Sequence, residues 1–313
     1  MSTNNLFYKL AGKLLKTFSP FLSDTIYIRL MYKLQTGKKL NLKNPQTFSE
    51  KIQYLKLYNH NPLYTIMVDK IKVKEFVAKK IGDKYIIPTL KIWTNAHDIN
   101  FNELPDRFVI KCNHNSGKGM FICKNKSNIN EKKIKAELQK GLHENYYMRG
   151  REWPYKNVPR RIFAEKYMED NEIIDNQNKN KVSSIGNLRD YKIYCFNGEP
   201  KLCQVISNRA IDEKIDFYNM NWERIHGLTG LTKGVSNSNN EIPCPKSFPE
   251  MVTNAKILSK DIPFSRIDFY DINGHAYFGE ITFFPASGFG SFHPDKWNYI
   301  IGSWIKLPKE SNN

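Results

Sequence analysis

An arginine, two acids and a threonine near the C-terminus have the types and spacing of a metal and phosphate site. Arg266 and Asp268 lie in one apolar run, Glu280 and Thr282 lie in the next, and Asn273-Gly274 separates the runs. Asn-Gly between two β-rich runs predicts a hairpin. Two carboxylates beside an arginine on adjacent strands suit Mg²⁺ held between triphosphate oxygens. A surface hairpin with a cross-strand ion pair is the alternative interpretation.

The register of this hairpin decides whether the four side chains share one face. A three-residue loop, Ile272-Asn273-Gly274, pairs Arg266 with Glu280 and Asp268 with Phe278. Because side chains alternate along a strand, this register puts the arginine, both acids and the threonine on one face. A strict two-residue loop without a bulge puts the two acids on opposite faces. We therefore predict the three-residue loop, with its glycine at positive φ.

A second phosphate-binding pattern lies in the middle of the chain. The apolar run 108–111 ends in Lys111 and is followed by a small, flexible loop that contains Ser116 and Gly117. A lysine on a strand beside free backbone N–H groups suits phosphate oxygens. The loop lacks the spacing of a Walker motif, and a plain hairpin is the alternative.

Charged residues at the ends of two further β-runs have the types that surround a nucleotide. Glu165 and Lys166 end one run, and Asp190 and Lys192 begin the next. A strand edge can bind adenine, a nearby acid can hold ribose hydroxyls, and a lysine can reach phosphate. Ordinary charges at strand ends are the alternative. The polar residues 169–187 between the runs predict a mobile flap near the nucleotide edge.

The elements around these residues predict an α+β fold rather than a doubly wound parallel sheet. Helical periodicity covers residues 5–40, 69–81, 131–142 and 249–260, and a further helix follows Thr47. Thr47 and Glu50 have the spacing of a capping box. From about residue 85, short β-runs and hairpin turns dominate, which favours antiparallel sheets.

Length, charge and cysteine content limit the class of protein. The 313 residues give room for two domains or for one domain in lobes, and no apolar run is long enough to span a bilayer. The formal charge of +17 attracts nucleic acid, anionic membrane or acidic small substrates. Five cysteines without a CxxC pair, and an N-terminus without a signal-peptide pattern, lead us to expect a reduced, cytoplasmic setting.

Residues 5–40 combine leucines at helical spacing with interleaved lysines. This pattern fits a basic amphipathic helix that lies on the anionic inner face of a membrane. A helix packed on the main domain is the preferred alternative.

The ordered motifs together resemble the ATP-grasp superfamily and, within it, the TupA-like branch, which is named after an enzyme of teichuronopeptide biosynthesis. The resemblance covers about residues 44–308. It rests on Asn44-Pro-Gln-Thr-Phe-Ser-Glu, Val68-Asp-Lys, Lys111-Cys-Asn-His, Ala164-Glu-Lys-Tyr, Asp190-Tyr-Lys-Ile-Tyr-Cys-Phe-Asn-Gly, Arg266-Ile-Asp and Gly279-Glu-Ile-Thr. It implies two α+β lobes with largely antiparallel sheets that clamp ATP. A helical segment (1–65) then precedes an ATP-grasp domain (66–308), whose smaller lobe is about 85–165 and larger lobe about 166–308.

The resemblance also implies a role for each motif residue. The residues that match phosphate contacts are Lys111, Ser116 and Gly117, and Lys70 is a further candidate for such a contact. Glu165 and Lys166 match the hinge at adenine, and Asp190 matches the ribose acid. Lys192 and Arg266 are the catalytic cations, and Asp268 and Glu280 are the Mg²⁺ ligands. Thr282 stands where many superfamily members have an asparagine ligand.

The implied reaction is ATP-dependent ligation of a carboxylate to an amine through an acyl phosphate. The acceptor is then an acidic saccharide or a lipid-linked glycan precursor of the cell surface, and the donor is an amino acid or amine. Arg149, Arg151 and Arg209 are candidates for binding the anionic substrate, with solvent-exposed pairing as the alternative. A glycosyltransferase of the same pathways is the alternative function, although its Asp-x-Asp pair is missing. No nucleic-acid-binding motif appears in the sequence, which argues against a nucleic-acid partner.

Overall fold

Two antiparallel sheets form the centre of the protein. The computed structural model describes residues 17–117, 119–170, 188–208, 212–232 and 234–308, together with Gly12 and Leu15. The smaller sheet contains β1 (Thr89–Trp93), β2 (Phe108–Cys112), β3 (Met120–Cys123) and β4 (Ile162–Lys166), in the order β1-β4-β2-β3. The larger contains β5 (Asp190–Phe196), β6 (Glu199–Ser207), β7 (Lys214–Tyr218), β9 (Phe264–Ile272) and β10 (His275–Thr282), in the order β10-β9-β5-β6-β7. A short ladder pairs β8 (Thr229–Gly230) with β11 (Phe292–His293).

Helices cover these sheets and connect them. Among the described residues they are α1 (Asp24–Thr36), α2 (Phe48–Tyr58), α3 (Leu63–Val68), α4 (Lys72–Ile81), α5 (Glu131–His143), α6 (Tyr147–Gly150), α7 (Phe248–Leu258) and α8 (Lys296–Ser303). Thr47 and Glu50 form the predicted capping box at the start of α2. No helix in the described ranges is both long and apolar enough to cross a bilayer. The predicted α+β fold with antiparallel sheets is confirmed.

Three apolar clusters show how the elements pack. The largest joins the five-stranded sheet to α2, α3, α4 and α7, as Ile52, Val77 and Phe269 illustrate. A second places α5 against the smaller sheet, and a third contains α1 with Tyr54 of α2. Helices α2 to α4 therefore share the core of the larger sheet. The predicted boundary between residues 65 and 66 falls inside α3.

The turn of the β9–β10 hairpin differs from the predicted one. Ile272 pairs with His275, so the loop contains only Asn273 and Gly274, with φ values of 53° and 75°. Two consecutive residues at positive φ form the turn that Asn-Gly prefers, because its twist matches that of the flanking strands. The predicted three-residue loop was wrong, whereas the positive φ of the glycine is confirmed.

A bulge at Gly279 restores the common face that the two-residue loop would otherwise prevent. The register shifts between Phe278 and Glu280, so Asp268 pairs with Glu280 and the next pairs follow in step. The predicted pairing of Arg266 with Glu280 was therefore also wrong by two positions. A side chain at Gly279 would lie 3.1 Å from the Asp268 carbonyl oxygen, which explains a glycine at the bulge.

Two predictions lie outside the described residues. They concern Arg209 as a substrate-binding residue and positions 171–187 of the mobile flap.

Candidate functional site

Asp268 lies between two cations on one face of the five-stranded sheet. Arg266 donates from Nε and Nη2 to its two carboxylate oxygens, each at 2.7 Å. Lys192, which pairs with Asp268 across β5 and β9, forms an ion pair with the same carboxylate. All three side chains are largely buried. Burial alone would lower the pKa of Arg266, but Asp268, Tyr194 and Glu280 together outweigh it and raise that pKa.

Glu280 and Thr282 of β10 complete this group. Arg266 Nη2 donates to Glu280 Oε1 at 3.3 Å and to Thr282 Oγ1 at 3.1 Å. Burial opposes the ionisation of Glu280, but the positive charges of Lys70, Lys192, Arg266 and Lys111 outweigh it and lower the Glu280 pKa to about 2. The carboxylate of Glu280 therefore stays ionised at any physiological pH. The four side chains predicted to share a face do so, through a different register.

Lys111 of the smaller sheet belongs to a second charged group. Glu165 of β4 forms ion pairs with Lys111 through Oε1 and with Lys74 of α4 through Oε2, the latter at 3.0 Å. The ammonium groups of both lysines also lie over the ring of Phe163, at 5.4 and 5.2 Å from its centroid. Burial raises the pKa of Glu165, but the two lysines outweigh this and lower it. Lys74 was missed by sequence analysis, because nothing in a helical lysine pattern identifies its partner.

An apolar surface adjoins Lys111 on the same face. Met120 pairs with Lys111, and Ile122 pairs with Val109, so these side chains stand beside the lysine. Both are about half exposed, which is unusual for large apolar residues on a sheet. Such a surface suits the flat, apolar face of a purine.

Lys70 joins the two charged groups. Its ammonium donates to the carbonyl oxygen of Asn115, in the loop after β2, at 2.7 Å. The same atom lies 3.9 Å from Glu280 Oε2 on the larger sheet. Burial lowers the pKa of Lys70, and Glu280 opposes that effect. The carboxylates of the larger sheet and the loop after β2 of the smaller sheet therefore border the same region.

The remaining nucleotide candidates lie around this region. Ser116 and Gly117 are exposed in the β2–β3 loop, and Gly117 has a φ of 84°. Lys166 is exposed at the end of β4. Asp190 is buried, with one oxygen 3.9 Å from the ammonium of Lys192.

The two described arginine candidates for substrate binding differ sharply in position. Arg149 is exposed, pairs with Glu144 and donates to the carbonyl oxygen of Ser116 at 3.3 Å, so it adjoins the β2–β3 loop, the predicted phosphate loop. Arg151 is only 4% exposed. Its guanidinium donates to the carbonyl oxygens of Ser19 and Leu22, lies 3.4 Å from Asp24, and covers the Tyr27 ring. Its position gives the predicted substrate role no support, because these internal contacts already use the side chain.

A strained turn follows β10, and the sequence patterns did not predict it. Ala286 and Ser287 have φ values of 49° and 51°, a region that residues with a side chain rarely adopt. Lys56 of α2 donates to the carbonyl oxygen of Ser287 at 2.6 Å and to that of Gly150 at 2.8 Å. The Ser287 hydroxyl donates to Glu152 at 2.6 Å. Burial lowers the pKa of Lys56 to about 7 and raises that of Glu152.

The oxygen donors on β9 and β10 fit a magnesium ion. Asp268 and Glu280 are paired neighbours on adjacent strands, and hard oxygen ligands are those that Mg²⁺ prefers. Within the described ranges, no group of three or more His, Cys, Asp or Glu side chains is placed to hold a metal. An ion at this pair would therefore take its other ligands from phosphate and water, as Mg²⁺ does in phosphoryl-transfer sites.

Comparison with known protein families identifies the family of this chain. The family model described as TupA-like ATP-grasp matches residues 50–306. The chain belongs to the TupA-like ATP-grasp family. Its two lobes are thus the two sheets described above, with Lys111 on the smaller and the acid pair on the larger. A comparison with curated proteins found no match.

Solved structures resemble this TupA-like ATP-grasp protein only distantly. D-alanine–D-alanine ligase from Bacillus anthracis, complexed with ATP, is 16% identical, with a TM-score of 0.37 over 69% of this chain and 53% of that one. The Helicobacter pylori ligase is 17% identical, with a TM-score of 0.40 over 83% and 69%. ATP-grasp ligase PsnB, complexed with minimal precursor, Mg and ADP, is 10% identical, with a TM-score of 0.36 over 75% and 57%. The chain spans little more than half of the first of these, and TM-scores this low carry no argument.

Proposed function

We propose that this protein is an ATP-dependent ligase that joins a carboxylate to an amine through an acyl phosphate. One observation carries the proposal. Cations from both sheets, Lys111, Lys192 and Arg266, surround the region beside the Asp268–Glu280 pair, and Lys70 contacts both sides of it. A triphosphate needs such a distribution, because its charge is spread over several oxygens.

The side chains have distinct proposed tasks. Lys111 and Lys70 bind phosphate oxygens from the smaller-lobe side, where Glu165 and Lys74 hold Lys111 in place. Asp268, Glu280 and Thr282 would hold Mg²⁺, which when bound neutralises charge on the phosphates. Arg266 and Lys192 offset the negative charge that develops on the transferring group. Met120 and Ile122 cover the adenine, and Asp190 binds the ribose hydroxyls.

The proposed reaction has two steps. A carboxylate oxygen of the acceptor attacks the γ-phosphorus of ATP, the bond to the β-phosphate oxygen breaks, and ADP leaves. The amine nitrogen then attacks the acyl carbon, inorganic phosphate leaves, and the nitrogen loses a proton as the amide forms. Neither step requires a side-chain nucleophile, so preorganised charge is the main contribution of the protein.

We propose that the acceptor is a uronic-acid-bearing saccharide or its lipid-linked precursor on the cytoplasmic side, and that the donor is an amino acid or amine. Support comes from the family and from Arg149, an exposed cation that contacts the Ser116 carbonyl oxygen beside the phosphate loop. Membership of an ATP-grasp family favours this ligase over the glycosyltransferase alternative. No feature of the site favours a nucleotide-sugar substrate.

The test is a matrix of uronic acids and amino acids screened for ADP release. ADP should form only when a carboxylate acceptor is present, and mass spectrometry should find the amide in the same wells. Hydroxylamine in place of the amine should trap the acyl phosphate as a hydroxamate. ADP release that ignores the acceptor, or sugar transfer from a nucleotide sugar without ADP, would overturn the proposal.

A further inference from the structure

The surface of α1 and the turn before it exposes large apolar side chains. Phe21 is 86% exposed and Phe18 is 57% exposed, and both precede α1. Ile26 and Leu30, one helical turn apart on α1, are also about half exposed. We call these four residues the N-terminal apolar patch. Monomeric proteins rarely display such side chains together unless something covers them.

The opposite face of α1 explains why the patch does not turn inward. Tyr27, Ile28, Met31 and Tyr32 are buried in the third apolar cluster. The helix therefore has its own core contacts and cannot rotate to bury Ile26 and Leu30 as well. Ile26 and Leu30 therefore lie on a fixed outer surface of a well-packed helix.

Positive charge accompanies the patch. Lys33 lies seven residues after Ile26 and Arg29 three residues after it, so both start from the same side of α1 as Ile26, and both are exposed. Arg29 also donates to the carbonyl oxygen of Leu40 at 3.5 Å, which leaves its charge without an acidic partner in that contact. The single acid of α1, Asp24, already contacts Arg151 at 3.4 Å and accepts from the Tyr147 hydroxyl at 2.6 Å. The outer face thus combines exposed aromatic and aliphatic groups with cations whose charge the helix does not compensate.

We propose that the N-terminal apolar patch is a docking surface for an anionic membrane. Interfacial aromatic side chains insert at the headgroup level, while lysine and arginine attract anionic lipids. A protein partner would also bury apolar groups, but the cations of α1 match a negatively charged surface best. This inference goes beyond the proposed function and does not depend on it.

Two hydrogen bonds connect the patch helix to the candidate site. Tyr27 of α1 donates to the carbonyl oxygen of Arg149 at 3.0 Å. Arg149 donates in turn to the Ser116 carbonyl oxygen of the phosphate loop. Docking through α1 would therefore fix the orientation of the site relative to the bilayer. If the proposed function is right, a lipid-linked acceptor reaches the ligase from that side.

The test is sedimentation of the full chain with vesicles of phosphatidylcholine, alone or mixed with phosphatidylglycerol. We expect binding to the anionic vesicles only. Phe18→Ser/Phe21→Ser should reduce partitioning at least tenfold, because inserted apolar area is lost. Arg29→Gln/Lys33→Gln should reduce it roughly 30-fold, because each juxtamembrane cation contributes about a factor of five.

Matched controls separate the patch from the general charge of +17. Lys132→Gln/Lys133→Gln removes two exposed cations from α5, and Ile257→Ser/Tyr299→Ser removes two exposed apolar groups elsewhere. Both should change partitioning less than twofold. Equal losses in patch and control variants, absence of binding to anionic vesicles, or patch-dependent self-association in sedimentation velocity would each overturn the proposal. We expect the patch variants, assayed without vesicles, to release ADP at the wild-type rate. A loss of vesicle binding would then reflect the patch and not a loss of ligase activity.

Discussion

Asp268 has both carboxylate oxygens in contact with cations, and this single residue connects the Asp268–Glu280 pair to Arg266 and Lys192. We expect Asp268→Asn to lower Mg²⁺-dependent ADP formation roughly a hundredfold or more, because a metal ligand and the partner of two cations are lost together. The melting temperature should fall as well, since Lys192 and Arg266 keep their charge without a full partner.

Steady-state ADP release and near-ultraviolet circular dichroism check this prediction. Glu199→Gln is the matched control, because Glu199 is an exposed acid of the same sheet that pairs only with Lys256 among the contacts described. Wild-type turnover in Asp268→Asn at saturating Mg²⁺ would contradict the metal assignment.

Glu280 gives the site a defined dependence on pH. Its folded-state pKa of about 2 lies below its ordinary value of 4.5, so its ionised form stabilises the fold. That stabilisation is fully present above about pH 4.5 and is lost as the pH falls toward 2. Glu280→Gln should therefore be less stable than wild type at pH 6, and the difference should narrow by pH 3.5. Urea unfolding at both pH values measures it, and a constant difference would contradict the assigned pKa.

Residue-level prediction from sequence succeeded where partners are close in the chain. Arg266, Asp268 and Glu280 lie within one hairpin, so alternation along strands already brought them together. The internal position of Arg151 could not be predicted in this way. Its contacts, Ser19 and Asp24, lie far away in sequence, and an arginine pattern does not reveal whether a guanidinium faces solvent or an internal carbonyl group.

Among the elements, the turn from Pro285 to Gly288 has two consecutive non-glycine residues, Ala286 and Ser287, in the left-handed region. Ala286 is exposed and left-handed, and an alanine there costs about 1–2 kcal/mol relative to an unstrained position. Ala286→Gly should be neutral or stabilising by up to about 1 kcal/mol, since relief of strain competes with added freedom of the unfolded chain. Ala286→Val should destabilise by about 1–2 kcal/mol.

Thermal unfolding of both variants tests the strain. Ala136→Gly is the matched control, because Ala136 is an exposed residue inside α5, where glycine costs about 1 kcal/mol. If Ala286→Gly destabilised the protein as much as Ala136→Gly does, the turn would not be strained.

Sequence patterns located most of the elements but not their irregularities. The capping box before α2 and the runs of β2, β4, β5, β9 and β10 were predicted, because periodicity and capping are local signals. The short, half-exposed β1 was missed, and so was the bulge at Gly279. A bulge depends on how two strands pair, and the sequence of one strand does not determine that.

At the scale of the whole molecule, the two lobes meet at a region with excess positive charge. Five cations face four carboxylates there: Lys70, Lys74, Lys111, Lys192 and Arg266 face Glu165, Asp190, Asp268 and Glu280. Inorganic tripolyphosphate should therefore raise the melting temperature by several degrees at concentrations far above its Kd, as ligand linkage requires. Added salt should weaken the effect, because it screens these charges.

Differential scanning fluorimetry with Lys111→Gln and Lys132→Gln tests this prediction. Only the first should lose much of the stabilisation, since Lys132 lies on α5 away from the cluster. Equal loss in both variants would mean that tripolyphosphate binds the general surface charge.

The division of the chain into lobes was harder to predict than the sheets. Both sheets correspond to the β-runs in the sequence, yet helices α2 to α4 pack on the larger one although they precede the smaller. Helical periodicity shows that a face is buried but not which surface buries it. The boundary between residues 65 and 66 therefore stays a prediction, and in the structure it falls inside α3.

The turn and the bulge of the β9–β10 hairpin are also linked by a rule of parity. The two-residue turn and the bulge at Gly279 each reverse the side on which later residues point, and together they leave Glu280 on the side of Asp268. Deleting Gly279 alone, or adding one residue to the turn alone, would send the metal ligands to the wrong side. The two changes made together would cancel. Functional relatives should therefore have either a short turn with a bulge or a longer turn without one, whereas a hairpin of the wrong parity cannot assemble the acid pair.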